Sequence, residues 1–107
     1  MSEDEDAVFR ALADPTRRHL LDQLLEHDGL TQTQLEADLP MSRFGVAKHL
    51  TVLEEAGLIT FHRAGREKQH FLNAVPIRAI HDRWIGKYTE QRVSALTDLK
   101  RRIEDAE

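Results

Sequence analysis

Basic side chains are concentrated in the middle of the chain, where they could bind a polyanion such as a nucleic acid. Residues 41–72 contain five lysines and arginines against three acidic residues. The formal net charge of the 107-residue chain is −4, but the acidic run 3–6 alone contributes four negative charges. Binding to phosphate groups depends on where positive charge lies as well as on the net charge. The pattern therefore predicts a phosphate-binding surface within residues 41–72.

A helix is the first element that must position these charges. Ser42 is a candidate N-cap, the apolar positions within 46–53 follow i, i+4, i+7 spacing, and Gly57 supplies a C-terminal stop. Together these signals predict a helix over residues 43–56.

The side of this helix that faces away from its apolar stripe carries the candidate base contacts. At about 100° per residue, Phe44 and Lys48 point outward and Arg43 lies on the flank. Arg43 suits guanine O6 and N7, Lys48 suits guanine or phosphate, and Phe44 suits a thymine methyl group. Alternatively, Phe44 folds back onto the preceding helix.

Two further residues of this helix have alternative interpretations. Gly45 would allow either the close approach of a sugar-phosphate chain or close packing against the preceding helix. His49 lies beside the apolar stripe, so a partly buried position is favoured for it over a contact with DNA.

A β-hairpin is the second element. The β-prone segments 58–61 and 69–72 flank Arg63-Ala64-Gly65-Arg66, which places Gly65 at the tip of a turn. Basic side chains near such a tip would reach backbone phosphates or the minor groove, and a merely solvated turn is the alternative. These basic residues are Arg63, Arg66 and Lys68.

Three helices are predicted before the helix over 43–56. The first begins after residues 1–6, which are expected to form an acidic disordered tail, and the second is capped by Asp14. A capping box over Thr31–Gln34 opens a short third helix that ends before Pro40. Two residues at the start of this third helix could clamp a phosphate or simply cap the helix: Gln32 and Thr33.

A long terminal helix is predicted from Pro76 onward. Its apolar positions recur at three- and four-residue steps over a length that one small core cannot bury, so a second copy of the chain is expected to cover them. Side chains of the first helix would cover the place where the two copies of the terminal helix meet. The residues expected at this dimer interface are Val8, Phe9, Leu12, Ile77, Ile80, Trp84, Tyr88, Leu99 and Ile103.

The predicted fold class is mostly α with a small β-hairpin, a winged helix-turn-helix with a long C-terminal dimerisation helix. Residues 7–107 are expected to form a single domain, with a DNA-binding part over 7–75 and the dimerisation helix over 76–107. In this fold the helix after the tight turn lies in the DNA major groove. The candidate DNA contacts are Gln32, Thr33, Ser42, Arg43, Phe44, Gly45, Ala47, Lys48, His49, Arg63, Arg66 and Lys68.

Composition argues against several other classes of protein. The chain has no cysteine, which removes disulfides, thiolate metal sites and cysteine nucleophiles. The longest run without charged residues or histidine is about seven residues, far below the roughly twenty that span a bilayer. Neither a nucleophile elbow nor a glycine-rich phosphate loop is present. We therefore expect a cytoplasmic protein that is not an enzyme and has no cofactor.

Several short motifs, taken in order, resemble those of an ArsR-type winged-helix repressor. They are Ala13-Asp14-Pro15-Thr16-Arg17-Arg18, Met41-Ser42-Arg43, Val46-Ala47-Lys48-His49-Leu50, Leu53-Glu54-Glu55-Ala56-Gly57-Leu58 and Gly65-Arg66. The similarity covers about residues 7–103. It implies a homodimer that binds an inverted-repeat operator and is released by some signal, with the first and last helices at the dimer interface.

The resemblance is to the branch of this family that lacks metal ligands. Where many members carry a cysteine motif on the third helix, this chain has Thr33-Gln34-Leu35-Glu36. His81-Asp82 is similar to half of a second family metal site, but Gln91 and Arg92 stand where the other half is expected. No metal site is therefore expected, and the effector is not indicated. Ala47 replaces a serine that is frequent in the family, so base preferences of relatives do not transfer.

Two hypotheses about function follow from the sequence. The favoured one is a dimeric, sequence-specific transcriptional regulator, a repressor, that binds a near-palindromic operator in double-stranded DNA. The alternative is a winged helix that binds another protein through the stripe containing Trp84 and Tyr88, without binding DNA.

Overall fold

In the part of the chain that the structure describes, the helices and a two-stranded hairpin follow each other in the order expected from the sequence, except that the predicted terminal helix is divided. The computed structural model describes residues 3–106, and within this range every side chain except those of Glu3, Glu90 and Gln91. The elements are α1 (Glu3–Leu12), α2 (Pro15–Glu26), α3 (Gln32–Glu36), α4 (Arg43–Glu55), β1 (Ile59–Ala64), β2 (Glu67–Leu72), α5 (Val75–Ile80), a π-helical turn (His81–Ile85) and α6 (Gly86–Ala106).

The chain divides into two compact units, Met1–Pro76 and Ile77–Glu107. The first contains α1 to α4 and the hairpin, and the second contains most of α5, the π-helical turn and α6.

The first helix begins earlier than the sequence predicted. Helix α1 already includes Glu3–Asp6, so the expectation of a disordered tail is wrong for these residues, whereas residues 1 and 2 lie outside the described part of the chain. Acidic side chains interact favourably with the unpaired N–H groups and the positive dipole end of a helix N-terminus. A cluster of acidic residues at that end therefore supports a helical turn.

Side-chain caps fix the starts of the next three helices where the sequence placed them. Asp14 Oδ2 accepts a hydrogen bond from the backbone N–H of Arg17 at 3.0 Å, and this bond, assisted by the charge of Arg17, lowers the pKa of Asp14. Thr31 and Gln34 form a reciprocal capping box. Ser42 Oγ accepts from the backbone N–H of Gly45 at 3.1 Å. Helix α3 ends at Glu36, one turn earlier than expected.

The core of the first unit lies between α4, the helices before it and the hairpin. Val46, Leu50 and Leu53 are all buried, which confirms the inward stripe predicted for α4. Because these side chains face inward, the opposite side of α4 is free to contact another molecule.

The hairpin has longer strands than predicted and a two-residue turn. Ile59 pairs with Leu72 and Ala64 with Glu67, which leaves Gly65 and Arg66 as the turn. Gly65 has φ +65°, as the first central position of a type II′ turn requires. A second, short pairing was not predicted: an isolated bridge between Leu30 and His70 attaches the chain before α3 to β2.

His70 is a buried part of this attachment. Its side chain Nδ1 lies 3.0 Å from Leu30 O, and the residue is only 2% exposed. Because a carbonyl only accepts, Nδ1 carries a proton in this contact.

The terminal helix is interrupted, although the sequence predicted one continuous element. In the π-helical turn the backbone N–H of Gly86 donates to His81 O, five residues earlier. A Cβ on residue 86 would lie 3.2 Å from that oxygen, so glycine suits this position. Ile85 and Leu96 are exposed apolar side chains on the π-helical turn and α6 that had not been assigned to the apolar stripe from the sequence.

Two of the residues expected at the dimer interface, Val8 and Ile80, are buried. None of the helices in the described range 3–106 is both long and apolar enough to cross a bilayer.

Candidate nucleic-acid interface

The outward side of α4 begins with exposed residues. Ser42, Arg43, Phe44 and Lys48 are all exposed, and Ala47 is half-buried between them. Phe44 is 86% exposed, so it does not fold back onto α3 as the alternative interpretation proposed.

Arg43 is held by the helix before it. Its Nη1 lies 3.1 Å from Glu36 Oε1, and the Arg43 side chain is still 66% exposed. The amide of Gln32 donates to Glu36 Oε2 at 3.3 Å and to the backbone carbonyl of Arg43 at 2.9 Å. Thr33 Oγ1 lies 3.5 Å from Arg43 Nη1. The side chains of Gln32 and Thr33 therefore support Arg43 in the free protein, and a phosphate contact from these two residues stays a prediction.

Three of the predicted basic contacts have no acidic partner within the described side chains. Lys48 projects from α4, Arg63 lies at the end of β1 and Arg66 occupies the turn, and all three are exposed. A positive charge without an internal partner is available to an external phosphate, and neutralising it there releases counterions from the nucleic acid.

Lys68 is engaged within the protein. It stands opposite Arg63 across the hairpin, an unfavourable like-charge pair on its own. Its ammonium is neutralised by Glu54 Oε1 at 2.9 Å and lies 3.9 Å from the centre of the Phe61 ring. Glu54 therefore ties the hairpin to α4.

A groove of about 550 Å³ connects part of the predicted site. Its walls come from α3, α4 and the hairpin, so it brings residues of all three elements together. The predicted contacts that line it are Gln32, Thr33, Arg43, Ala47, Arg66 and Lys68. The remaining predicted contacts, Ser42, Phe44, Gly45, Lys48, His49 and Arg63, lie outside it.

His49 links two helices in the partly buried position that the sequence favoured, and its contact with DNA stays a prediction. Its Nδ1 lies 3.3 Å from Arg17 Nη1 and 3.9 Å from Asp14 Oδ2, and its side chain is 21% exposed. Because a guanidinium can only donate, Nδ1 accepts in this contact. Arg17 also donates to the carbonyls of Arg10 at 2.9 Å and Ala11 at 2.8 Å. One arginine thus joins the end of α1 to the middle of α4.

Gly45 lies beside the turn before α4 and not against α3. A Cβ on this residue would lie 3.5 Å from both Met41 Sδ and Ser42 Oγ, which is ordinary contact. We expect Gly45→Ala to raise the free energy of unfolding by about 0.5–1 kcal/mol, because alanine favours the helix, and chemical denaturation measures this. The affinity of the same variant for DNA tests the predicted close approach. A more stable variant with unchanged affinity would show that the approach does not occur.

The His81-Asp82 pair is engaged with a neighbouring arginine. Arg78 Nε donates to both carboxylate oxygens of Asp82, at 2.9 and 3.1 Å, and this bond lowers the pKa of Asp82. His81 Nδ1 lies 3.5 Å from Asp82 Oδ1. Among the side chains that the structure describes, no three potential ligands are grouped closely enough to hold a metal ion.

Helix α3, helix α4 and the hairpin, in this order and with this free helical face, define the class of winged helix-turn-helix proteins. A sequence model of a helix-turn-helix domain matches residues 12–60. The chain belongs to the ArsR family of helix-turn-helix transcriptional regulators, which bind DNA.

Relatives and a solved structure support this membership. The uncharacterized HTH-type transcriptional regulator YuzN of Bacillus subtilis (strain 168) is 41% identical over 91 residues, which cover 79% of this chain and 99% of YuzN. The transcriptional repressor SdpR of the same strain is 34% identical over 71 residues, covering 66% of this chain and 78% of SdpR. The crystal structure of the ArsR family transcriptional regulator RHA00566 matches with a TM-score of 0.74 and 32% identity, over 82% of this chain and 94% of that one. These similarities favour the DNA-binding hypothesis over a module that binds only protein.

Proposed function

We propose that this protein is a cytoplasmic transcriptional repressor that binds a near-palindromic operator as a homodimer. The N-terminal half of α4 enters the major groove, and the hairpin over 63–68 contacts the backbone or the minor groove. The observation that carries the proposal is the set of exposed, unpaired cations on these two elements. They are Lys48, Arg63 and Arg66.

The dimer is supported by apolar surface that the described part of the chain leaves exposed. Along α6 and the turn before it, large hydrophobic side chains follow helical spacing on one side. A stripe of this length is typical of an interface between subunits. It consists of Ile85, Tyr88, Leu96, Leu99 and Ile103, and we refer to it below as the α6 stripe.

Two-fold symmetry determines the geometry of the operator. The two copies of α4 would enter major grooves about 34 Å apart, so the half-sites should be separated by about 10 bp or a multiple of this. Phe9 and Leu12 of α1, together with Ile77 and Trp84 of the second unit, stay expected members of the interface.

Arg43 and Lys48 are expected to contribute differently to DNA binding. Arg43→Ala should weaken operator binding by about 1–3 kcal/mol and relax the preference at one base position, because a bidentate contact to guanine is lost. Lys48→Ala should weaken binding to all sequences alike and reduce the salt dependence, because it removes a phosphate contact. Fluorescence anisotropy with labelled duplexes at several salt concentrations measures both effects.

A matched control is Arg101→Ala, which removes an exposed arginine of α6. This variant should bind the operator as the wild type does. Equal affinity of the wild type and Arg43→Ala for the operator would overturn the role of Arg43.

A further inference from the structure

Phe44 is the most exposed large hydrophobic residue in the part of the chain that the structure describes. It is 86% exposed, in the first turn of α4, on the side of the helix that we propose enters the major groove. Neither the neighbouring arginine nor α3 covers it, because Arg43 is drawn towards Glu36. An uncovered aromatic ring at this position has no role in the stability of the chain itself.

The surface beside Phe44 is an open hollow of about 610 Å³. It is bounded by residues of two successive turns of α4, namely Phe44, Ala47, Lys48, Thr51 and Val52. The hydroxyl of Thr51 donates to the backbone carbonyl of Ala47 at 3.0 Å, so its hydrogen is already used within the helix. The hollow therefore offers apolar surface, with one free ammonium group, that of Lys48, at its edge.

These properties select one occupant. Base edges in the major groove present hydrogen-bonding groups and a single apolar group, the C5-methyl of thymine. A hollow whose lining is mainly apolar, and whose one hydroxyl has already donated its hydrogen, suits the methyl group, while the unpaired charge of Lys48 suits a neighbouring phosphate. A purely apolar protein segment would leave this charge without a partner.

We propose that Phe44 is a specificity-determining residue that recognises a thymine methyl group in each half-site of the operator. The inference rests on the proposed function, because it requires α4 to lie in the major groove. The proposed contact specifies which base and which group of that base Phe44 recognises, and it involves no hydrogen bond.

The test removes the methyl group and nothing else. The preferred duplex is first selected from randomised DNA with the full-length protein, and each thymine is then replaced by deoxyuridine, which keeps the hydrogen-bonding groups. We expect one position per half-site at which the wild type loses affinity by about fourfold, and about fifteenfold when both half-sites are changed, as burial of one methyl group predicts.

Phe44→Ala provides the second half of the test. Truncating so exposed a side chain should leave the thermal unfolding temperature unchanged, and the variant should bind thymine and uracil duplexes with equal affinity. Phe44→Leu, which keeps an apolar side chain, should retain part of the discrimination. Lys48→Ala is the control, because it should bind both duplexes more weakly and keep the thymine-to-uracil ratio of the wild type.

The possible failures can be told apart. If selection yields no preferred duplex, the proposed function fails and this inference fails with it. If a duplex is selected but no deoxyuridine substitution reduces affinity, the inference alone is overturned. It is also overturned if Phe44→Ala discriminates between thymine and uracil as well as the wild type does, because another residue would then sense the methyl group.

Discussion

Glutamate in place of Leu99 is expected to leave the protein monomeric and to weaken its binding to a two-half-site operator by more than about 100-fold. Leu99 lies within the α6 stripe, which we propose is covered by a second copy of the chain. Burying an unpaired carboxylate costs about 3–5 kcal/mol, and a two-fold interface would bury two. Sedimentation velocity at micromolar concentration measures the oligomeric state, and anisotropy titration measures the affinity.

Val93→Glu is a closely matched control. Val93 and Leu99 lie on the same helix and are each 55% exposed, but Val93 lies outside the α6 stripe. The Val93 variant should therefore sediment as a dimer and bind the operator normally. A Leu99→Glu protein that still sediments as a dimer would contradict the proposed interface, as would a monomeric Val93→Glu protein.

Arg17→Ala is expected to lower the free energy of unfolding by about 2–4 kcal/mol. The guanidinium of Arg17 satisfies two carbonyls at the end of α1, those of Arg10 and Ala11, and contacts His49 of α4. Hydrogen bonds from a charged donor contribute about 1.5–3 kcal/mol each when partly shielded from water, and the exposed bond to Arg10 contributes less. Urea denaturation of the full-length protein measures the loss.

A variant of the neighbouring Arg18 is the control that distinguishes the contribution of this hydrogen-bond network from a general effect of removing a positive charge. Arg18 makes one exposed bond, from Nη1 to Leu12 O at 2.7 Å, so Arg18→Ala should lower the free energy of unfolding by less than about 1 kcal/mol. Arg17→Lys keeps the positive charge but lacks the planar guanidinium with its several N–H donors. It should therefore restore only a minor part of the lost free energy of unfolding. Equal losses for Arg17→Ala and Arg18→Ala would show that the network is not a special source of stability.

Local signals predicted the elements of the site well because they act over a few residues. The cap at Ser42, the capping box at Thr31 and the buried stripe of α4 depend on spacings of three and four, which can be read directly from a sequence. The glycine at the hairpin tip is a signal of the same kind, because the backbone conformation of the turn alone favours glycine there.

Contacts between elements could not be predicted in the same way. The pairs Arg43–Glu36 and Lys68–Glu54 join residues of different elements, and no repeat or spacing marks them in advance. The π-helical turn was missed because its extra residue produces no break in composition; Gly86 is its one visible sign. The early start of α1 was missed because a run of acidic residues was interpreted as solvated chain, although such residues also favour a helix N-terminus.

The ion pair between Glu36 and Arg43 has a consequence for discrimination between DNA sequences. If Arg43 recognises guanine, two acceptors compete for its guanidinium whenever the protein binds DNA: the carboxylate of Glu36 and the edge of a base. Glu36 is then an internal competitor whose attraction is the same on every sequence. Only a site that offers a well-aligned pair of acceptors draws the arginine away, so arbitrary DNA would be held mainly by Lys48 and the hairpin cations.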